Sequence, residues 1–180
     1  MPSVTVLGTR GYPSYYGGFE TMVRRIAPYL CDEGWDVTVY NRTGIDRRHH
    51  VADPRVHTIV TPGIETTSAS TLSYGLSASM HASWRKPDVA LIMNVANGYF
   101  LPMLKKRGIP TVVNVDGVEW ERAKWSKAAR AVFYKGAQLV AKHADVIVCD
   151  SKAIAELWLR EFNRETVSYT HLTLPTNREV

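Results

Sequence analysis

The 180-residue chain carries 22 Lys and Arg against 17 Asp and Glu, a formal net charge of +5, and 45% of its residues are hydrophobic. That length suffices for one well-buried domain and only marginally for two, and the composition excludes a disordered or fibrous chain. Cys31 and Cys149 are the only cysteines, which excludes a zinc-ribbon or disulfide-stapled scaffold and predicts reduced thiols in a cytoplasmic setting, Cys149 buried in a strand.

Met1 is followed almost at once by "SVTVLG" (3–8), an apolar run that predicts a buried strand and leaves no room for a signal peptide. The next stretch, "GTRGYPSYYGGFET" (8–21), sets glycines between that strand and an amphipathic helix over 19–33. Phe19, Met22, Val23, Ile26, Ala27 and Leu30 share one helical face, and Gly34 gives the stop. Pro28 inside it predicts a kink or an early end. Strands are expected at 36–41 and 56–60, with the charged "DRRHH" (46–50) between them as a solvated loop without metal spacing. A Ser-rich helix over 66–85 leads to the strand "DVALIMN" (88–94), the turn "NVANGYF" (94–100) and the strand "PTVVNVD" (110–116). The longest predicted helix, 121–143, aligns Trp125, Ala129, Val132, Phe133, Gly136 and Val140, while Lys124, Lys127, Arg130, Lys135 and Lys142 occupy its other faces. The strand "DVIVCD" (145–150) and a helix over 151–162, capped by Asp150 or Ser151, complete the pattern. No apolar run approaches the ~20 residues a membrane span needs.

Short Val- and Ile-rich strands, apolar on both faces and alternating with helices, predict an α/β domain: a Rossmann-like, doubly wound parallel sheet. Right-handed crossovers bring the loops 8–18, 41–48, 94–98, 116–122 and 150–151 to one edge, where ligand is expected. The mildly basic balance favours anionic partners there: phosphate, acidic lipid or nucleic acid.

Three loops carry candidate chemistry. Gly17 and Gly18 at a helix mouth let backbone N–H groups approach an anion, although the spacing is not G-x-G-x-x-G; a flexible glycine turn explains the residues equally well. In "NVDGVEWERAKW" (114–125), Asp116, Glu119 and Arg122 gather with tryptophans at a strand end, a set suited to sugar hydroxyls and phosphate. The residues alone favour the plainer reading, in which Asp116 caps the next helix and Glu119 and Glu121 complement its positive end. Asn97 is assigned to an Asx turn, and Asn94 is left open between turn and ligand. His81 and His143 are expected to be structural. The G-x-S-x-G elbow, the Walker loop and H-E-x-x-H are all missing, so hydrolase, NTPase and zinc-protease readings lack their signatures.

Together, "LGTRGYPSYYGGFET", "VNVDGVEWERAKWSK" and "VIVCDSKAI" resemble the N-terminal domain of bacterial family-four glycosyltransferases, in particular a rhamnosyltransferase-like subgroup that serves surface polysaccharide or lipopolysaccharide assembly. The resemblance runs from about residue 3 to residue 162 and implies one half of a GT-B fold, with the acceptor bound by this half and the nucleotide-sugar donor by a second Rossmann-like domain. It implies Gly17 and Gly18 near the donor diphosphate, Asp116 near the acceptor hydroxyl as an orienting or electrostatic catalytic group, and Glu119 and Arg122 on the acceptor side; Asn94 stays a substrate-binding candidate from its place at a strand end. It further implies a retaining reaction, no cofactor, no essential metal, no nucleic-acid partner, and an enzyme that is cytoplasmic or at the inner face of the cell membrane. The basic faces of 121–143 are its candidate contact with anionic lipid.

The chain departs from this family in lacking the second domain and the spaced pair of glutamates that holds the donor. Residues 1–166 are therefore expected to form the domain, and 167–180 to be a tail foreign to the family, from a truncated gene product inactive on its own. Two other classes compete. One is an NAD(P)-dependent sugar-nucleotide oxidoreductase or epimerase, with Asn41 and Arg42 at a 2′-phosphate; against it, Tyr134 has Gln138 where a Y-x-x-x-K pair needs lysine. The other is a non-catalytic carbohydrate-binding module.

Overall fold

The first apolar run folds into β1 (Ser3–Leu7), with Val4, Thr5, Val6 and Leu7 buried. Both neighbours are parallel to it: Val4 pairs with Val37 of β2 (Asp36–Asn41) on one side and with Val89 of β4 (Val89–Met93) on the other. The computed structural model describes residues 1–14, 17–44, 52–66, 70–115, 117–123 and 125–169. Among these, β3 (His57–Val60), β5 (Thr111–Asn114), β6 (Val146–Cys149) and β7 (Val167–Ser168) complete one all-parallel sheet in the order β3-β2-β1-β4-β5-β6-β7. The expected α/β architecture is the one observed. Its strand order reverses between β1 and β4, the switch point at which doubly wound sheets open a crevice.

The sheet has two apolar faces because successive side chains alternate. Val6, Leu91 and Met93 face α1 (Gly18–Asp32), where Val23 and Ala27 are buried on them. Leu7, Ile92, Val113 and Ile147 face the opposite layer, built from α2 (Ser70–Arg85), α3 (Leu101–Lys106), α4 (Lys127–His143) and α5 (Lys152–Phe162). Trp120 and Trp158 pack edge to face within this second core.

Three elements differ from the sequence pattern. Pro28 does not end α1, which continues to Asp32 with Ala27 buried and Leu30 packed on the sheet; that burial outweighs the ~3 kcal/mol an interior proline costs. The long helix predicted from 121 is two pieces, a 3₁₀ turn over Glu119–Glu121 and α4 from Lys127. Ser126 separates them by capping α4, its Oγ accepting from the Ala129 N–H at 3.2 Å. Between β4 and β5 a 3₁₀ helix over Val95–Phe100 runs directly into α3. The sheet also continues past residue 166, with Val167 and Ser168 paired to β6.

Candidate site at the carboxyl edge of the sheet

The first loop is held in place by β2. Asn41, almost fully buried at the end of that strand, accepts from the Tyr12 N–H at 2.8 Å and donates to the Tyr12 carbonyl at 3.0 Å. The Arg42 N–H donates to the Arg10 carbonyl at 2.9 Å, and the Tyr12 hydroxyl accepts from the Asp53 N–H at 2.9 Å. Residues 8–14 are thus a fixed platform rather than a loose turn. Both amide atoms of Asn41 are thus engaged with Tyr12, and the side chain is buried from solvent.

Gly8, at φ +90°, is where this platform meets the switch point. A side chain there would run into the Met93 carbonyl and the Asn97 amide, so only glycine lets the loops after β1 and β4 close on each other. Asn97 is buried: its Nδ2 donates to the Met93 carbonyl at 2.7 Å, while its Oδ1 has no partner. The Asx turn assigned to Asn97 belongs instead to Asn94, which sits at φ +73° and accepts from the Ala96 N–H at 2.9 Å. The reason is register: Asn94 follows β4 immediately and caps the 3₁₀ helix, whereas Asn97 has already turned inward.

Gly17 caps α1 in extended backbone that any residue adopts, and no side chain caps this helix. The nearby anion is internal. Glu20, buried in the first turn, accepts from the Arg10 N–H at 3.0 Å, and its Oε2 lies 3.1 Å from where a Cβ on Gly17 would stand. Glycine at 17 therefore makes room for a carboxylate already at the helix mouth.

On the far side of the switch point, Asn114 ends β5 fully buried. Its Nδ2 lies 2.9 Å from the Met22 sulfur and donates to the Tyr169 hydroxyl at 2.8 Å, and its Oδ1 has no partner among the described residues. Asp116 lies outside the described residues, as do Lys124 and the "DRRHH" segment. Gly117 turns the chain at φ +76°, and the Arg122 guanidinium folds across it, 3.0 Å from where a Cβ would stand. Glu119 is nearly buried: one carboxylate oxygen pairs with Arg122 at 3.1 Å and the other accepts from the Trp125 indole N–H at 3.0 Å. Glu119 and Arg122 are therefore brought together as expected, with Glu119 fully engaged and Arg122 partly exposed.

Arg10 is a cation the sequence reading passes over, and Arg42 enters it only in the oxidoreductase alternative, although both stand just after strands. Arg42 lies over the Tyr74 ring at 5.4 Å, and its buried Nε has no partner among the described residues. Burial, and then the neighbouring Arg10, hold its pKa below the usual guanidinium value. Among the described residues no carboxylate forms an ion pair with it. Beneath it Gly8, Thr9, Thr61 and Tyr74 enclose a crevice of about 10 Å³, room for one water rather than a ligand. A larger groove of about 710 Å³, between α1 and residues 52–55, lies apart from the switch point, and its Arg55 is spent on Asp32 and Asp53 at 2.7 Å each. Among the described residues, four buried polar atoms near the sheet edge, Thr9 Oγ1, Arg42 Nε, Asn97 Oδ1 and Asn114 Oδ1, thus have no protein partner. Buried polar atoms are nearly always satisfied, by ordered water where the protein supplies no partner, and the crevice beneath Arg42 is of that size.

A family model described as "Domain of unknown function (DUF1972)" matches residues 1–173. No curated protein matches the chain. Among solved structures, a sucrose-phosphate synthase from Thermosynechococcus elongatus superposes with a TM-score of 0.71 at 15% identity, over 94% of this chain and 47% of that one. The Arabidopsis thaliana protein UGT89C1, solved with UDP-L-rhamnose, gives 0.59 at 13% identity over 99% of this chain and 54% of that one. A UDP-GlcNAc 2-epimerase from Methanocaldococcus jannaschii gives 0.56 at 15% identity over 94% and 45%. The chain thus spans about half the length of these structures. At such identities the likeness is one of fold: the Rossmann-like half of a GT-B arrangement, as the sequence resemblance implied.

Proposed function

The chain belongs to the DUF1972 family, whose description assigns no activity, and we propose that it is the acceptor-side half of a glycosyltransferase. The observation that carries this reading is the polar set gathered at the carboxyl edge beside the switch point, Arg10, Arg42, Glu119 and Arg122, in a fold shared with a sucrose-phosphate synthase and with a protein solved holding UDP-L-rhamnose. In this reading a second Rossmann-like domain, beyond the 1–166 unit, supplies the donor pocket, and the sugar passes from a nucleotide-sugar to a glycan or lipid-linked acceptor. Rhamnose and surface polysaccharide synthesis follow from the bacterial family-four resemblance, as do the retaining course, the lack of a metal requirement and a place at the inner face of the cell membrane.

The roles divide along the edge. Gly17 and Gly18 bring the start of α1 close to the donor diphosphate, with Glu20 displaced or bridged through Arg10 when that anion arrives. Asp116 orients the acceptor hydroxyl and stabilises charge in the transition state. Arg122 binds the acceptor, Glu119 positions it, and Asn94 shapes the turn that lines the same crevice.

The test is sugar transfer by the protein as its genome encodes it, the reading frame being followed through codon 180 and beyond. A nucleotide-sugar labelled in its sugar is incubated with membrane extract. Label entering lipid or glycan, and falling ~100-fold in Asp116→Asn with an unchanged unfolding curve, supports the proposal. Saturable NAD(P) binding without transfer would instead establish the oxidoreductase reading. Glycan binding with neither would establish a binding module.

A further inference from the structure

Helix α2 is turned inside out. Its buried side is made of Tyr74, Gly75, Ala78, Ser79, Ala82 and Ser83, and the hydroxyls of Ser79 and Ser83 are buried without partners. Its exposed side carries Leu76, Met80 and Trp84, at 45%, 57% and 77% exposure. Four-residue spacing lines these up as one stripe along the helix. A helix facing only water orders its residues the other way, with the large apolar side chains on the core. An exposed apolar stripe of this kind marks a contact surface.

Charge identifies what it contacts. Residues 66–87 contain no Asp or Glu. Arg85 and Lys86 follow Trp84 directly and are exposed. Arg107 joins them, its Nε donating to the Ser83 carbonyl at 3.1 Å, with exposed Lys105 and Lys106 beside it on α3. An apolar stripe ending in Trp and collared by cations matches an anionic bilayer surface, where the indole and the aliphatic side chains enter the interface and the cations meet headgroup phosphates. A second copy docked through the same face would set cation against cation. Helix α4 offers exposed Lys127, Lys135 and Lys142 but no comparable apolar stripe, so the lipid contact expected there from sequence moves to α2.

We propose that the Leu76–Met80–Trp84 face of α2 docks this protein on anionic lipid. The surface stands on its own geometry; its use, delivery of a lipid-linked acceptor, rests on the transferase reading. The helix runs antiparallel to the strands, so its first turn lies at the candidate edge, and its 16 residues reach about 24 Å from there. A bilayer along this flank would therefore meet the mouth of the site.

Vesicle flotation of the full chain tests this without any donor, so that its failure is separate from failure of the transfer assay. The protein should float with vesicles of phosphatidylcholine mixed with phosphatidylglycerol, less with phosphatidylcholine alone, and less as salt rises. Leu76→Ser/Met80→Ser/Trp84→Ser should lower partitioning by ~10-fold or more. The single variant Trp84→Glu, at the most exposed position, should lower it in the same direction and keeps the test valid if the triple variant misfolds. Lack of wild-type flotation, or flotation unchanged in Trp84→Glu, would overturn the proposal. So would a wild-type dimer in sedimentation that the variants disperse, if no vesicle binding accompanies it.

Discussion

In the oxidoreductase alternative Asn41, with Arg42, would meet a cofactor phosphate, whereas the structure engages its amide with the backbone of Tyr12. Removing that side chain leaves a buried N–H and a buried carbonyl unpaired. Asn41→Ala should therefore cost about 3 kcal/mol in urea unfolding and release the first loop. Amide exchange at Tyr12 should rise well beyond the global change. A second buried pair joins layers: Tyr40 Oη lies 2.7 Å from His81 Nδ1, which supports the structural role expected for that histidine. Burial pushes the Tyr40 phenol up to about 12 from 10.0. Because the folded pKa is raised, the stabilisation is fully present below pH 10 and is lost as pH rises through about 12. Unfolding free energy measured from pH 9 to 11 should fall, and Tyr40→Phe should flatten that fall. What sequence could supply for these residues was type and position along a strand; the direction each side chain takes depends on which loop crosses above it.

Helix and strand content was legible because periodicity reports which faces are buried. The break between the 3₁₀ turn and α4 was not, since Trp125 fits the helical stripe as well as any true member. Only the Ser126 cap, with the engagement of the Trp125 indole by Glu119, decides it. Gly136 was placed correctly in the α4 stripe, but its purpose is a close approach. A Cβ there would stand 2.6 Å from the Val95 carbonyl, and a Cβ on Gly98 would run into the Gly136 carbonyl. Gly136→Ala should push α4 off the Val95–Phe100 helix and lower stability by about 2 kcal/mol in a thermal melt, although alanine is the better helix former. Unchanged stability would show that these two elements slide past each other freely.

For the whole molecule, the alternation of strand and helix determined the doubly wound sheet, and right-handed crossovers then determined which loops share its carboxyl edge. Those consequences need no side-chain detail, which is why they hold for the chain and for structures that match it at 13–15% identity. The sequence also supplied the glycines, asparagines and acids of that edge as a set. Tertiary structure decided how they are used: Glu20 at the mouth of α1, Glu119 committed to Arg122 and Trp125, Asn94 rather than Asn97 in the turn, and Arg42 half-buried beside Arg10. It also turned Leu76, Met80 and Trp84 of α2 outward. Pattern fixes burial to within a face of an element, whereas pairing and orientation come from contacts between residues dozens of positions apart, which exist only once the sheet has formed.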